Sequence, residues 1–476
     1  MTITLKKQLM ILLTFACAVA GTTFLSGSNV LLVGRVAAAS TSTSTTFSLT
    51  KYTVSPQALN FPAIKGAPVS NNEIPPAMII KDKSHNYFVS GYMGFSCLGN
   101  WGLFGSGIHA FANCSEILGP VVDNIQTGYI TEGMADALPA YKRNFNGIFS
   151  VVEYNDPTSS NGLSLLAVMH EENKGEAKPY AGGGVGSFRN SVSRSITNLV
   201  NGDTGSTCIT ETNGCYFAFV SAATIPYTNK TSYGHNPQWT DYGPIVWPSQ
   251  GYVSSDGTMK IANGPRHPHA IIAGNYAYVF YQDFYYTNGL DGLYNLDVGD
   301  RRGGMKVIRA QLPNVQPGSW YAYFEPAGSS AGDFTEPALP GVPGFSVPGP
   351  RATPLFTNMT DPNHGNYEGL SFAVAQVKGQ NLYVGVEEYA DWCLEAPVMC
   401  PGKMRVALRT SADLVHWSAR IPLYDGCQDY ANFTLNLPEF VDASSTSNTQ
   451  IDLNDFYIVG NKPFKYYYMH VGLTAM

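Results

Sequence analysis

The sequence is poor in charged residues. Asp, Glu, Lys and Arg make up only 13% of the 476 residues, and the formal net charge is −7. No basic stripe of the kind that binds a phosphate backbone is present. The chain also has few long runs of Ala, Glu, Leu and Lys, which are typical of helical proteins. These absences count against a nucleic-acid partner and against a helical fold.

Several catalytic and metal-binding motifs are missing as well. There is no G-x-S-x-G nucleophile elbow, no C-x-x-C pair and no Cys/His cluster of the kind that holds structural zinc. The Gly-rich run Gly182–Phe188 follows no βα unit, so it does not predict a phosphate loop. We therefore expect no cofactor. A divalent cation held by carboxylates and water in a central channel stays open, since no residues mark it.

Turn formers and aromatic residues are abundant: the chain has 48 Gly, 30 Pro and 29 Tyr. Such a composition favours an all-β architecture. Apolar runs come in pairs around turn residues such as Asn161-Gly162, Gly274-Asn275 and Lys378–Gln380. Units of about four strands then recur roughly every 50 to 100 residues. This rhythm predicts a five-bladed β-propeller, with a large β-sandwich or jelly roll as the alternative.

The N-terminus has the features of an export signal. Lys6 and Lys7 precede an apolar run from Leu9 to Ala20, and small-residue cleavage sites follow. We expect a secreted protein, with cell-surface attachment open. A retained membrane anchor is the alternative to cleavage. The second apolar stretch, Val30–Ala39, counts against it because it is too short to span a bilayer. The predicted organisation is a leader at 1–39, a Ser/Thr-rich linker and N-terminal extension at 40–69, and the propeller at 70–476.

Seven cysteines remain after the leader, and most fall in close pairs. In an exported chain such pairs favour local disulfides. The two disulfides that we expect are Cys97–Cys114 and Cys208–Cys215. The pairing among Cys393, Cys400 and Cys427 stays open.

One segment carries a family resemblance. Arg409–Ser418, "RTSADLVHWS", has the pattern R-x-S-x-D-L-x-x-W and is followed by an apolar strand. It resembles the repeated blade motif of the five-bladed propeller glycosidases, the arabinanase/xylosidase-type family 43 and the invertase-type family 32. We expect Leu414 and Trp417 to pack between blades and Asp413 to shape the turn. The resemblance implies a carbohydrate substrate.

In a propeller blade, the start of the innermost strand meets the end of the second strand near the axis. Glycosidases place two carboxylates across the scissile bond, and the resemblance implies a third acid on these strands. Glu439 and one of Glu387 and Glu388 occupy such positions. The alternation of side chains along a strand does not decide which of Glu387 and Glu388 faces the channel. Glu368 would lie in blade four, where the family has its proton donor in blade three. The predicted catalytic acids are Glu73, Glu171, Asp283 and Glu368.

The segment Gly264–Ala270, "GPRHPHA", is the densest polar cluster of the chain. His267 and His269 are two residues apart, which predicts one shared strand face. They would contact sugar hydroxyls or act as an acid, or else be hydrogen-bonded at a tight strand start. The predicted substrate-binding residues are His170, Arg266, His267, His269 and Tyr285.

These expectations together describe a monomeric, secreted glycoside hydrolase that acts on a poly- or oligosaccharide. The alternative is a non-catalytic carbohydrate-binding or surface-adhesion propeller, in which the carboxylates would be dispersed or the channel plugged.

Overall fold

The computed structural model describes a set of segments between residues 46 and 476. Within them, all regular secondary structure is β-strand, and no helix is long and apolar enough to cross a membrane. The described residues are 46–53, 55–59, 78–81, 86–90, 96–100, 128–129, 145–174, 216–226, 240–246, 251–253, 259–261, 264–284, 304–326, 328–329, 331–339, 350–356, 371–391, 403–423, 435–442, 444–445, 447, 449–462 and 465–476.

The strands are numbered in chain order. Those of the N-terminal half are β1 (Phe47–Lys51), β2 (Gln57–Leu59), β3 (Met78–Lys81), β4 (Asn86–Ser90), β5 (Ser96–Asn100), β6 (Gly128–Tyr129), β7 (Phe145–Asn155), β8 (Leu163–Lys174), β9 (Tyr216–Pro226), β10 (Thr240–Val246), β11 (Gly251–Val253) and β12 (Met259–Ile261). Those that follow are β13 (Gly264–Ala273), β14 (Tyr276–Phe284), β15 (Gly304–Gln311), β16 (Trp320–Phe324), β17 (Asp333–Pro337), β18 (Ser371–Val377), β19 (Tyr383–Asp391), β20 (Lys403–Ser411), β21 (Ile421–Pro422), β22 (Asn436–Val441), β23 (Gln450–Ile451), β24 (Phe456–Lys462) and β25 (Lys465–Ala475).

These strands form five sheets and one two-stranded ribbon, β11-β12. Sheet I is β3-β4-β5, sheet II is β10-β9-β8-β7-β6, and sheet III is β13-β14-β15-β16-β17. Sheet IV is β21-β20-β19-β18-β23, and sheet V is β1-β25-β24-β22 with β2 also paired to β25. All pairs are antiparallel except β18 with β23. The chain therefore builds each sheet mainly from successive hairpins, as the turn pattern predicts.

The hairpin between β13 and β14 shows how the sequence directs this folding. Ala273 pairs with Tyr276 across the predicted Gly274-Asn275 turn. Gly274 adopts a φ of 57°, which is the left-handed region that glycine enters without a steric cost. The predicted two-residue turn is confirmed.

The first long strands of the sheets contact one another in succession. β7 lies against β13, β13 against β18, and β18 against β22. β3 of sheet I contacts both β7 and β22. One strand from each of the five sheets therefore lies next to a strand of a neighbouring sheet.

Aromatic side chains fill the space between sheets III and IV. The rings of Phe280 and Phe372 lie 5.5 Å apart, and the Trp417 ring lies edge-on to Phe372 at 4.8 Å. Leu414 is buried in the same cluster. Asp413 accepts hydrogen bonds from the two backbone N–H groups at positions 415 and 416. The predicted roles of Leu414, Trp417 and Asp413 are confirmed.

Two further apolar clusters hold the other sheets together. Full burial of each large side chain in them contributes about 1.5 to 3 kcal/mol. The cluster between sheets II and III includes Val152, Leu166, Val220, Tyr281 and Trp320. The cluster between sheets IV and V includes Val386, Leu408, Phe456, Ile458 and Met469.

The N-terminal strands differ from the sequence expectation. Residues 47–59 fall in the segment expected to precede the propeller, yet β1 and β2 both pair with β25, the last strand of the chain. Phe47 and Leu49 pack against the cluster between sheets IV and V. Alternation of apolar residues over five positions is enough to add a strand to an open sheet edge. Strands β1 and β2 are thus part of sheet V.

Candidate functional site

The strand registers pair the starts of inner strands with the ends of second strands. Asn146 pairs with Glu171 in sheet II, and Ser371 pairs with Glu388 in sheet IV. In sheet III, Pro265 pairs with Asp283. Contacts among β7, β13, β18, β19 and β22, described next, define the candidate site.

Glu388 is a buried carboxyl in the second half of β19, with 1% of its surface exposed. Ser371 Oγ donates to its Oε2 at 3.1 Å, and the Leu437 backbone N–H donates to the same oxygen at 2.8 Å. Desolvation by burial raises the pKa of Glu388 to about 7, although these two hydrogen bonds and the Arg266 charge oppose the increase. Glu388 therefore carries its proton well above the pH at which an ordinary Glu loses it.

Glu439 and His269 form a pair across two sheets. His269 Nε2 lies 3.0 Å from Glu439 Oε2, and the two side chains are 8% and 18% exposed. The Val374 backbone N–H donates to His269 Nδ1 at 3.3 Å. Strands of sheets III, IV and V thus each contribute one group to this contact, and Glu439 keeps access to solvent.

Two similar bulges aim these side chains. The register of β13 shifts between Arg266 and His269, and that of β22 shifts between Asn436 and Glu439. In each bulge the residue before a proline has a positive φ, 49° at position 267 and 50° at position 437. Non-glycine residues avoid this region at a cost of roughly 1 to 2 kcal/mol. Bulges of this kind redirect side chains beside functional sites.

The bulge in β13 changes the sequence prediction for the two histidines. His269 contacts sheets IV and V, whereas the His267 ring stacks on Phe149 of sheet II at 5.4 Å. His267 also lies 5.5 Å from the ring of His170. The two histidines therefore contact different neighbours rather than sharing one face, because the extra residue of a bulge breaks the period of two.

Asp283 is held by a buried cation. Lys306 Nζ lies 2.7 Å from Asp283 Oδ2, and both side chains are at most 1% exposed. Lys306 therefore occupies one carboxylate oxygen of Asp283, which distinguishes Asp283 from Glu388, whose described hydrogen-bond partners are uncharged. An ion pair this deep is a structural feature of sheet III.

Glu387 is the neighbour of Glu388 on β19 and lies in the opposite environment. Arg409 Nε is 2.6 Å from its Oε2, and Arg420 Nη2 is 2.9 Å from its Oε1. Burial opposes ionisation, but the charge of Arg409 and then the hydrogen bond from Arg420 lower the pKa of Glu387. Of the two acids, only Glu388 is left without a direct cationic partner at hydrogen-bond distance among the described residues.

Of the remaining predicted residues, the structure describes the side chain of Arg266 but not those of four others. Arg266 Nε donates to Gln282 Oε1 at 2.9 Å, which fixes the guanidinium near the start of sheet III. The backbone of Glu171 lies in β8 opposite Asn146, and its side chain is outside the description. Three predicted residues lie outside the described segments: Glu73, Glu368 and Tyr285. So do the leader and every cysteine of the predicted disulfides except Cys97.

Sequence reasoning named Glu388 and Glu439 without assigning them to the catalytic set, and it missed Ser371. A signal for part of the site was present. Arg266–His269, "RHPH", and Asn436–Glu439, "NLPE", share a proline at the third position and a polar side chain at the fourth. Among the described residues, no group of three or more His, Cys, Asp or Glu side chains could hold a metal ion.

Comparison with known proteins gave structural likenesses only. No family model matches the chain, and no curated protein matches it. An α-L-arabinofuranosidase mutant from Fusarium graminearum, solved with an iminosugar inhibitor, has a TM-score of 0.39 at 8% identity, over 85% of this chain and 94% of that one.

Two further solved structures give similar values. A levansucrase mutant from B. megaterium has a TM-score of 0.38 at 9% identity, covering 87% of this chain and 85% of that one. The catalytic domain of a GH62 α-L-arabinofuranosidase from Coprinopsis cinerea has a TM-score of 0.37 at 9% identity, covering 87% and 95%. The enzymes named are of the kind that the sequence resemblance indicated. At these TM-scores and identities, the likenesses establish neither a family nor an activity for this chain.

Proposed function

We propose that the chain is a glycoside hydrolase built on a five-bladed β-propeller, with sheets I to V as the blades. The succession of contacts from β3 through β7, β13 and β18 to β22 supports a ring of blades. The pairing of β1 with β25 supports closure of that ring, because it joins the first described strand and the last strand in one sheet.

One observation carries the assignment of activity: two carboxyl groups with unequal surroundings, Glu388 on β19 and Glu439 on β22, lie on strands that contact each other. Glu388 is buried and accepts a hydrogen bond from the backbone of Leu437. Glu439, two residues after Leu437, is partly exposed and contacts His269. Glycoside hydrolysis needs one protonated and one ionised carboxyl, and unequal environments are how enzymes create such a pair.

In the proposed mechanism, Glu388 is the general acid. Both of its described hydrogen bonds end on Oε2, which leaves Oε1 to carry the proton that passes to the leaving-group oxygen. The charge of Arg266 favours the carboxylate that forms at Glu388. Glu439 is the ionised partner, which attacks the sugar or activates a water molecule. Glu73, Glu171 and Glu368 stay predicted members of the acidic set.

The test is a hydrolysis screen on a broad panel of plant and microbial glycans. Glu388→Gln and Glu439→Gln are expected to lose at least about a hundredfold in kcat, since general acid catalysis contributes roughly 10² to 10⁴. Glu336→Gln, on the outermost strand of sheet III, is the matched control and should cleave like the wild type. Glu368→Gln tests the sequence-based prediction in the same screen.

The outcomes separate the two candidate functions. Cleavage by the wild type with full activity of Glu388→Gln would exclude Glu388 as the acid. If the wild type binds a glycan but cleaves none, the carbohydrate-binding propeller is the correct assignment.

We also propose that the protein is exported and acts as a monomer. The apolar leader and the close cysteine pairs support export. Mass spectrometry of the unreduced, secreted protein should find Cys97–Cys114 and Cys208–Cys215 as disulfides, and free thiols at these positions would contradict it. Light scattering should give one chain per particle, and a dimer would contradict that part.

A further inference from the structure

We propose that His269 is a positioning residue for Glu439, locked in the neutral tautomer that carries its proton on Nε2. This inference rests on the proposed function, in which Glu439 is the ionised carboxylate. In this role, the His269 imidazole orients the Glu439 carboxylate without neutralising its charge.

The tautomer follows from the two contacts of the ring. The Val374 backbone N–H points at His269 Nδ1 over 3.3 Å, and a donor of this kind requires a lone pair on Nδ1. The single ring proton of the neutral imidazole must then lie on Nε2. Nε2 in turn faces Glu439 Oε2 at 3.0 Å. The chain Val374 N–H, Nδ1, Nε2–H and Glu439 is therefore fully matched in donors and acceptors.

The backbone N–H of Val374 keeps Nδ1 of His269 unprotonated. Protonating Nδ1 would set two N–H groups against each other, and Val374 lies in the middle of β18, where the ladder holds its backbone in place. The His269 side chain is only 8% exposed, so water cannot readily replace Val374 as the partner of Nδ1. Glu439 receives a directed hydrogen bond from a neutral donor and keeps its own negative charge.

The two bulges serve this contact. His269 and Glu439 each occupy the last position of a bulge whose second residue has a positive φ. Both strained bulges end at a residue of the same hydrogen bond, which indicates that the position of this hydrogen bond has a role beyond packing. A positioning role for His269 explains why both strands keep this conformation.

Two substitutions divide the functions of the ring. In His269→Gln, the amide NH₂ reaches the position of Nε2 and can still donate to Glu439. In His269→Asn, the shorter amide can accept from Val374 but cannot reach Glu439. A hydrogen bond to a charged group corresponds to about a tenfold to hundredfold effect on rate. We expect His269→Asn to lose kcat by that factor relative to His269→Gln, with a similar KM for both. Equal losses of kcat would overturn the positioning role.

The tautomer is measured independently of activity. Long-range ¹H–¹⁵N spectra of ¹⁵N-histidine-labelled protein at pH 7.5 should show one imidazole, absent in both variants, with Nδ1 unprotonated and Nε2 protonated. A proton on Nδ1, alone or together with one on Nε2, would overturn the inference whatever the activity. If the expected tautomer is found but the wild type cleaves no glycan, the proposed function fails and the hydrogen-bond lock stands.

Discussion

Glu387 and Glu388 are neighbours in sequence, both buried, and should influence stability in opposite ways as pH changes. Glu387 is neutralised by two arginines, whereas Glu388 has two uncharged hydrogen-bond donors. We predict that replacing each by Gln will give different pH profiles of the free energy of unfolding. The pair offers a matched comparison on one strand.

The magnitude for Glu388 follows from its pKa, which rises from 4.5 to about 7 on folding. Between these values the folded state binds more protons than the unfolded state, so stability falls as pH increases. One pH unit corresponds to about 1.4 kcal/mol, which gives a loss of about 3 kcal/mol between pH 4.5 and 7. Gln carries no charge at any pH, so Glu388→Gln should lack this loss.

Glu387 has the opposite sign. Its pKa is lowered on folding, so its contribution is present above the ordinary Glu pKa and is lost only as pH falls through the lower folded value. Glu387→Gln removes the carboxylate that pairs with Arg409 and Arg420 and should cost about 3 to 5 kcal/mol at neutral pH. Between pH 4.5 and 7.5 this cost should stay constant.

The assay is urea unfolding followed by Trp fluorescence, at half-unit steps from pH 4.5 to 7.5. Urea is preferred to guanidinium because it does not screen charges. The stability of the wild type relative to Glu388→Gln should fall by about 3 kcal/mol across this range. Parallel pH profiles for wild type and Glu388→Gln would refute the claim that burial raises the pKa of Glu388.

Three further predictions follow. Lys306→Met removes the cation that lies 2.7 Å from the buried Asp283 carboxylate and should cost about 3 to 5 kcal/mol at pH 7, measured by chemical unfolding. Gly385→Ala places a methyl group 2.1 Å from the Phe372 ring, so it should lower stability by about 1 to 3 kcal/mol through overpacking, measured as a shift in Tm. Ser371→Ala removes a hydrogen bond to the Glu388 carboxylate. The pKa of Glu388 should therefore rise further, and the alkaline limb of the pH–kcat profile should move to higher pH.

Each of these has a control. Lys306→Met with Asp283→Asn should recover much of the lost stability, because Asn places no charge in this buried position, and no recovery would contradict the ion-pair argument. Gly162→Ala meets no atom within 4 Å at a φ of 69°, so it should cost only about 1 to 2 kcal/mol of backbone strain. Ser371→Thr keeps the hydroxyl, and an alkaline limb shifted as in Ser371→Ala would contradict the role given to that donor.

The sequence by itself determined the features that depend on neighbouring residues. Alternating apolar runs and turn glycines predicted the hairpins, and Gly274 takes the φ that its turn requires. The spacing within Arg409–Ser418 was enough to foresee that Leu414 and Trp417 would be buried against another sheet. These outcomes depend on the period of a strand and on local turn chemistry, both of which are written into short segments.

Only the tertiary structure decided which polar groups meet. Alternation cannot distinguish Glu387 from Glu388, because both faces of β19 are buried and the arginines that select Glu387 come from β20 and from the residue before β21. Alternation also fails at His267, where a bulge inserts an extra residue. The contact of His269 with Glu439 joins residues 170 positions apart in the chain. Such contacts depend on the packing of whole sheets, and no local pattern encodes them.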